Sequence, residues 1–352
     1  MRLLKAYWHI FKSVGGAMKA GRQNDRIFRY FILETLDNLG FFEYLQQPRA
    51  YGEILAEFGF SDSEYTQEIF NTLLHDSENV IVQNDGVYAV NPDVSLPSLE
   101  SILARMDSRL HFMRQMAESL SHNILDRLQE KAIGVTEIFE RDDHRVANMF
   151  DEVLDTNIYS AVRKACFAYL TTKERKWLRG KKLIEIGCGS GRETTEIWLH
   201  LGGETSITAV DPVTRMLELA RNNFMDLLKE VDPMHPPVTE KNMPVFKEGS
   251  ATQLPFDDNS FDASFWAFML HWTADPKKAI SEAVRVVRPG GLIFGSQAFK
   301  PYVNPYFNLV VRSSRNSYGF FWREDYVKWF AEEGLEIDPA TPVGIIRAIN
   351  KE

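Results

Sequence analysis

Three alternate glycines, Gly187, Gly189 and Gly191, follow directly on the apolar stretch Lys182-Leu183-Ile184-Glu185-Ile186. That stretch reads as a short buried strand, and a helix is expected to begin near Thr194. Glycines at a strand-to-helix turn let the backbone bend sharply and approach a ligand closely. The helix start adds free N–H donors. A second strand, Ile207-Thr208-Ala209-Val210, ends at Asp211, 24 positions after Gly187. A carboxylate at a second-strand tip can accept from both hydroxyls of a ribose. Turn and carboxylate together describe a site for an adenosine-bearing ligand. A dinucleotide site needs a small residue where this chain has Arg192, so the spacing disfavours a ligand with a diphosphate.

Further segments follow in a fixed order. Glu248-Gly249-Ser250-Ala251-Thr252-Gln253-Leu254-Pro255-Phe256 precedes Asn259-Ser260-Phe261-Asp262, and a fourth strand is expected from Ala263 to Phe268. Asp275-Pro276 opens a helix with Ile280, Ala283, Val284 and Val287 on one face. It closes at Arg288-Pro289-Gly290-Gly291, ahead of the strand Leu292-Ile293-Phe294.

EIGCGSG, AVDP, GSATQLPFDDNSFD and RVVRPGG, in this order and spacing, resemble the class I S-adenosylmethionine-dependent methyltransferases over roughly Lys181 to Gln297. The resemblance implies S-adenosyl-L-methionine as cofactor and a Rossmann-like α/β fold for the C-terminal domain. It implies that Glu185 orients the methionine amino end and that Gly187, Cys188, Gly189 and Gly191 form the floor under methionine and ribose. Asp211 would take the ribose, and Pro212 and Met216 would pack near the adenine. Ala251 would offer its backbone N–H to the adenine ring, and Phe268 would line the cofactor. Ser250 stands where the family often has Asp, so the acceptor for the adenine amino group is uncharged here. The stretch between Arg221 and Val245 exceeds the usual connection and reads as an exposed insertion.

Methyl transfer from a sulfonium disperses positive charge, so the protein's main task is to position donor and acceptor and exclude water. A hydroxyl or carbon acceptor must also lose a proton. His271 lies just past the fourth strand, at the sheet edge where ligands bind, and an unperturbed imidazole suits base work. LHWTADP resembles the segment that carries the catalytic base in small-molecule O-methyltransferases. The alternative is that His271 only lines the cofactor. His111, His122 and His144 fall on connecting helices, and His200 and His235 read as surface or insertion residues. No grouping has metal-ligand spacing. The aromatic run from Phe299 to Trp322 is either a cap over an apolar substrate or a core beneath a lid helix.

The elements in front must present this site. An amphipathic helix spans the first twenty residues and a second runs from about Asp25 to Tyr44. Tyr51 to Phe58 forms a short helix closed by Gly59, and Ser61 with Glu64 reads as a capping box for a helix through Leu74. Val80-Ile81-Val82 and Val87 to Val90 flank Asn84-Asp85-Gly86, a hairpin signal. Helix, helix, helix, hairpin is a winged-helix order, and it resembles the front domain with which some O-methyltransferases dimerise. The fold expected is therefore a mainly helical, winged-helix-like N-terminal domain (1–100), connecting helices (101–176) and a class I methyltransferase domain (177–352).

The chain has 352 residues and a net charge of −9. Ten Asp and Glu but no Lys or Arg lie between Arg49 and Arg105. An acidic would-be recognition helix with Asp62, Glu64 and Glu68 argues against nucleic acid as a partner. The basic, aromatic N-terminal helix suits dimer packing, or less readily a membrane surface. Two cysteines and no long apolar run point to a cytoplasmic protein. The activity expected is methylation of a small aromatic or apolar acceptor at oxygen. The alternatives are methylation at carbon of a quinone or lipid-like ring, and a non-enzymatic regulator that senses adenosylmethionine.

Overall fold

Strands β1 (Arg49–Ala50), β2 (Ile81–Asn84) and β3 (Val87–Val90) form one sheet, and the strands beginning at Lys182 form a second, six-stranded one. The chain is seen in a computed structural model that describes residues 26–94, 123–141, 145–155, 157–338 and 344–350. It also describes the isolated positions 4, 6, 8, 101, 102, 114, 118 and 119. The expected N-terminal helix lies outside these residues except for three positions, and His111, His122 and His144 lie outside them too. Two compact units are present. One takes in Thr136–Tyr302 and Phe320–Glu352 together with Met1–Ala17, and the other takes in Met18–Val135 and Val303–Gly319.

In the first unit, β4 (Lys182–Ile186), β5 (Ser206–Asp211), β6 (Val245–Glu248), β7 (Phe261–Ala267) and β8 (Val287–Ser296) are parallel. β9 (Ile345–Ile349) closes the edge antiparallel to β8. Side chains alternate across these strands, so each central strand feeds two cores. Leu183, Phe265 and Phe294 enter one cluster with Trp198 and Phe224. Ile184, Trp266 and Ile293 enter the other with Ile280 and Phe330. The chain steps outward from β4 to β5 and β6, then returns to lay β7 on the other side of β4. Such a reversal opens a crevice at the carboxyl ends of the strands on either side of it.

Boundaries differ from the sequence expectation where one local contact outweighs the pattern. The helix after the glycine turn begins at Arg192, because Gly191 in the left-handed region (φ 85°) already serves as its N-cap. The helix after β5 runs from Thr214 to Val231, so the exposed connection before Val245 is shorter than the sequence suggested. That connection is anchored where Trp198 Nε1 donates to the Asn242 carbonyl at 2.8 Å. β7 stops at Ala267, since Phe268 turns to φ 50°. His200 is not free at the surface; its ring stacks on Phe167 at 4.6 Å.

In the second unit, helix runs through residues 26–38 and, after Gly40 (φ 76°), through Phe41–Tyr44, rather than as one helix. The strand Arg49–Ala50 and the hairpin Ile81–Asn84 and Val87–Val90 form a three-stranded sheet. Asp85 and Gly86 both take positive φ, as a two-residue hairpin turn of this kind requires. The helix Glu64–His75 is capped by Ser63, whose side chain accepts from Thr66 N, and not by Ser61, which lies two residues too early. Of its acids, Glu64 stays exposed, whereas Glu68 is engaged within its own unit by the helix Pro305–Arg312. Asn308 donates to Glu68 at 2.7 Å, and Arg312 forms an ion pair with the same carboxylate. Arg312 therefore gives this acidic helix a cation from within residues 303–319.

Candidate functional site

The glycine turn is fixed by its own backbone. Gly187 and Cys188 both donate to the Val210 carbonyl, at 2.8 and 3.0 Å, which ties the end of β4 to the end of β5. Gly187, Gly189 and Gly191 take φ of 74°, 52° and 85°. A Cβ on Gly187 would sit 2.4 Å from Met269 Cγ, so only glycine leaves that path intact. A Cβ on Gly189 would press on Leu154 Cδ1 at 3.3 Å and meet Met216 Cε at 3.5 Å. Cys188 is buried, and burial pushes its thiol pKa well up, so it acts as a small apolar wall.

Asp211 holds the turn from below. One carboxylate oxygen accepts from Gly189 N at 2.9 Å and the other from Val213 N at 3.0 Å. Burial outweighs these two donors and raises its pKa to about 6. Each oxygen keeps acceptor capacity beyond its backbone bond, as a ribose diol requires. The folded carboxyl keeps its proton to a higher pH than the unfolded one. Its contribution to stability is therefore lost as pH rises from about 4 to 6. Ligand binding should run the opposite way. Affinity for S-adenosylhomocysteine is expected to fall about tenfold between pH 7 and pH 5. Calorimetric titration across that range, with Asp211→Asn as the variant that loses the step, checks this.

Glu185 is fully buried in β4. Its Oε2 accepts from Thr194 at 2.6 Å, while its Oε1 has no hydrogen-bond partner. Burial pushes its pKa well above the ordinary carboxylate range. An orphaned, buried acceptor is costly unless a donor completes it. An ammonium group is the strongest such donor, so the residue present fits the methionine end of the expected cofactor. Ser190, inside the turn, is likewise buried with an unpartnered hydroxyl.

Met216 is buried against the turn, whereas Pro212 is exposed. Ala251 is buried; Ser250 is exposed, its hydroxyl spent on Thr252 at 2.9 Å. Phe268 adopts a left-handed backbone that a bulky residue seldom tolerates, and its ring meets Tyr159 edge-on at 5.0 Å. The helix Arg145–Leu154 also reaches the turn. Asp151 pairs with Arg192 at 2.7 Å, and Leu154 packs against Gly189.

His271 sits in the short 3₁₀ turn Leu270–Trp272, buried and stacked on Phe320 at 4.1 Å. Its Nδ1 lies 3.1 Å from Gln297 Nε2. The Gln297 amide is oriented by the backbone: its Oε1 accepts from Leu270 N, and its Nε2 donates to the Ala298 carbonyl. Nε2 can only donate, so Nδ1 accepts and the imidazole proton resides on the other nitrogen. Burial depresses the pKa to about 3. The near-neutral base expected from an unperturbed histidine is therefore not what this environment makes.

The aromatic run divides. Phe299, Phe320 and Phe321 are buried, while Tyr302, Tyr318 and Trp322 are exposed. Tyr306 belongs to the second unit, where its hydroxyl donates to Asp76 at 2.8 Å. The sequence reading missed Gln297, Ser190 and the buried pair Arg163–Glu193 at 3.0 Å. Gln297 carried a usable signal, a lone amide ending a buried strand; Arg163 is a charge set among Ala161, Ala165 and Cys166 on one helix.

Residues 184–295 match the family model described as a methyltransferase domain. The chain is 30% identical over 122 residues to a demethylmenaquinone methyltransferase of Desulfitobacterium hafniense, covering 35% of this chain and 44% of that protein. It is 29% identical over 180 residues to the protein of that name from Paenarthrobacter aurescens, covering 48% and 61%. The chain thus spans between two fifths and two thirds of these relatives. Among solved structures it is similar to the CurJ carbon methyltransferase, with a TM-score of 0.72, 14% identity and coverage of 99% and 96%. It is also similar to an O-methyltransferase family 2 protein of Planctomyces limnophilus, with a TM-score of 0.54, 16% identity and 96% coverage of both. With the crevice, the turn and its carboxylate already placed, these matches show a methyltransferase domain over residues 184–295 and, around it, the fold of the carbon methyltransferase structure.

Proposed function

We propose that this chain methylates a carbon atom of a small enol or quinol-type acceptor. The bound cofactor supplies an electrophilic methyl group on a sulfonium. Everything else falls to the chain's own residues. Asp211 and the glycine turn hold the adenosyl end, Glu185 holds the amino end, and Phe268 and Tyr159 keep water from the reacting carbon.

The observation that carries the choice of carbon is the Gln297–His271 contact. A neutral imidazole with a low pKa and its proton on Nε2 is a hydrogen-bond donor, well suited to stabilise an oxyanion. The acceptor enters as its enolate or phenolate, its hydroxyl proton left in solvent, and is nucleophilic at both oxygen and carbon. When carbon takes the methyl, S-adenosylhomocysteine leaves and the proton displaced from that carbon passes to solvent. A donor fixed on the oxygen withdraws that end and leaves the carbon to react. The names of the demethylmenaquinone methyltransferase relatives and of the carbon methyltransferase structure agree with this reading. Methylation at oxygen, the first expectation from the sequence, is the second reading. It draws on the LHWTADP segment and the O-methyltransferase family 2 structure. We further propose a cytoplasmic homodimer whose winged-helix-like front unit forms the contact; a strict monomer in sedimentation would end that part.

The two chemistries separate with a methyl-¹³C donor and a panel of quinols, β-dicarbonyl compounds and catechols. The reading expects product resonances in the C–CH₃ range; signals only in the O–CH₃ range would overturn it. Gln297→Glu tests the role of His271. A carboxylate accepts from Nδ1–H, raises the imidazole pKa and moves the proton off Nε2. Turnover is expected to fall about 100-fold, as on removal of one oxyanion donor. A rise in turnover would show that His271 is a base after all.

A further inference from the structure

We propose that Arg163 binds the carboxylate of the cofactor's methionine end, through the Nε–Nη2 edge of its guanidinium. This rests on the cofactor reading above and assigns a subsite within it. Arg163 lies on the helix Asn157–Tyr169, ahead of the sheet, and its side chain is buried. Both of its hydrogen bonds leave from Nη1, to the Leu154 carbonyl at 2.9 Å and to Glu193 Oε1 at 3.0 Å. Nε is buried with no hydrogen-bond partner. A largely buried guanidinium with Nε unpartnered, and with no hydrogen bond from Nη2 among the described residues, lacks an acceptor along that edge. The Nε–Nη2 edge presents two parallel donors, the arrangement that fits a carboxylate in bidentate fashion.

The position fits the amino-acid end and not the adenine. Glu193 stands in the first turn of the helix that leaves Gly191, and Leu154 packs on Gly189. Glu185, whose own Oε1 lacks a donor, lies close enough for Arg163 to act on its ionisation. An α-amino acid carries its ammonium and carboxylate on one carbon, so their partners must be neighbours of opposite sign. Glu185 and Arg163 supply such a pair, each with an unused valence. Glu193 then acts as a positioning residue, turning the guanidinium so that its free edge faces the turn.

Calorimetry with S-adenosylhomocysteine and its decarboxylated analogue, which keeps the amine, reads this subsite directly. The wild-type chain is expected to bind the carboxylate-bearing ligand about 30-fold more tightly than the analogue. Arg163→Met should shrink that gap to within about threefold, by weakening S-adenosylhomocysteine alone. Arg163→Lys, which retains charge but not the fork, should fall between. Equal wild-type affinity for the two ligands would overturn the assignment, as would a full gap in Arg163→Met. Should Arg163→Met lose its thermal unfolding transition, the wild-type gap and the Arg163→Lys value decide. Failure of the wild-type chain to bind either ligand or 5′-methylthioadenosine would overturn the cofactor reading itself, and this assignment with it.

Discussion

Asp211→Ala is expected to weaken S-adenosylhomocysteine binding by at least about 100-fold, the cost of losing two charge-assisted hydrogen bonds. Two losses combine. The ribose diol loses its acceptor, and the N–H groups of Gly189 and Val213 lose the carboxylate that positions them. The second loss loosens the turn on which the rest of the ligand lies. Asp211→Asn keeps one carbonyl oxygen but presents an NH₂ group to a donor, so it should be intermediate. Circular dichroism and calorimetry on the same samples separate lost binding from lost folding. A variant folded like wild type that keeps affinity within a few fold would show that Asp211 is not the ribose acceptor.

Gly187→Ala is expected to lower stability by about 3 kcal/mol and to abolish detectable cofactor binding. A left-handed backbone costs a residue with a Cβ about 1–2 kcal/mol. Overpacking in a buried place adds about 1–3 kcal/mol. The new methyl would meet Met269 at Cγ and Cβ, the stem of the side chain, so rotation of its tip does not relieve the clash. Met269 leads directly into Leu270 and His271, and its displacement disturbs both halves of the site. Gly290→Ala is the control. It shares a positive φ, 77°, but a Cβ there meets nothing within 4 Å. Denaturant unfolding should place Gly290→Ala about 1–2 kcal/mol below wild type, the backbone cost alone, and Gly187→Ala lower still. Equal destabilisation would remove the contact with Met269 from the explanation.

Much of the sheet was legible because its signals are local. A strand buried on both faces reads as an apolar run, and the glycine turn and Asp211 sit at a spacing set by one β-α-β unit. The hairpin at Asp85-Gly86 was legible for the same reason, since two adjacent residues must take positive φ. The element ends were less so. Ser61 and Ser63 are equally good caps by type, and only the accepted Thr66 N–H distinguishes them. The site's chemistry was legible by residue and not by environment. His271 was visible, but its proton position depends on Gln297, which is 26 residues away and is oriented by Leu270 and Ala298. Arg163 was hidden for a related reason. Its meaning lies in what one guanidinium edge lacks, and no sequence pattern shows an unspent donor.

A crystal structure grown with S-adenosylhomocysteine at millimolar concentration tests the account most directly. It should place both ribose hydroxyls within hydrogen-bond distance of the Asp211 carboxylate and the amino group on Glu185. A ligand seated elsewhere, or density that stays empty at that concentration, would contradict it.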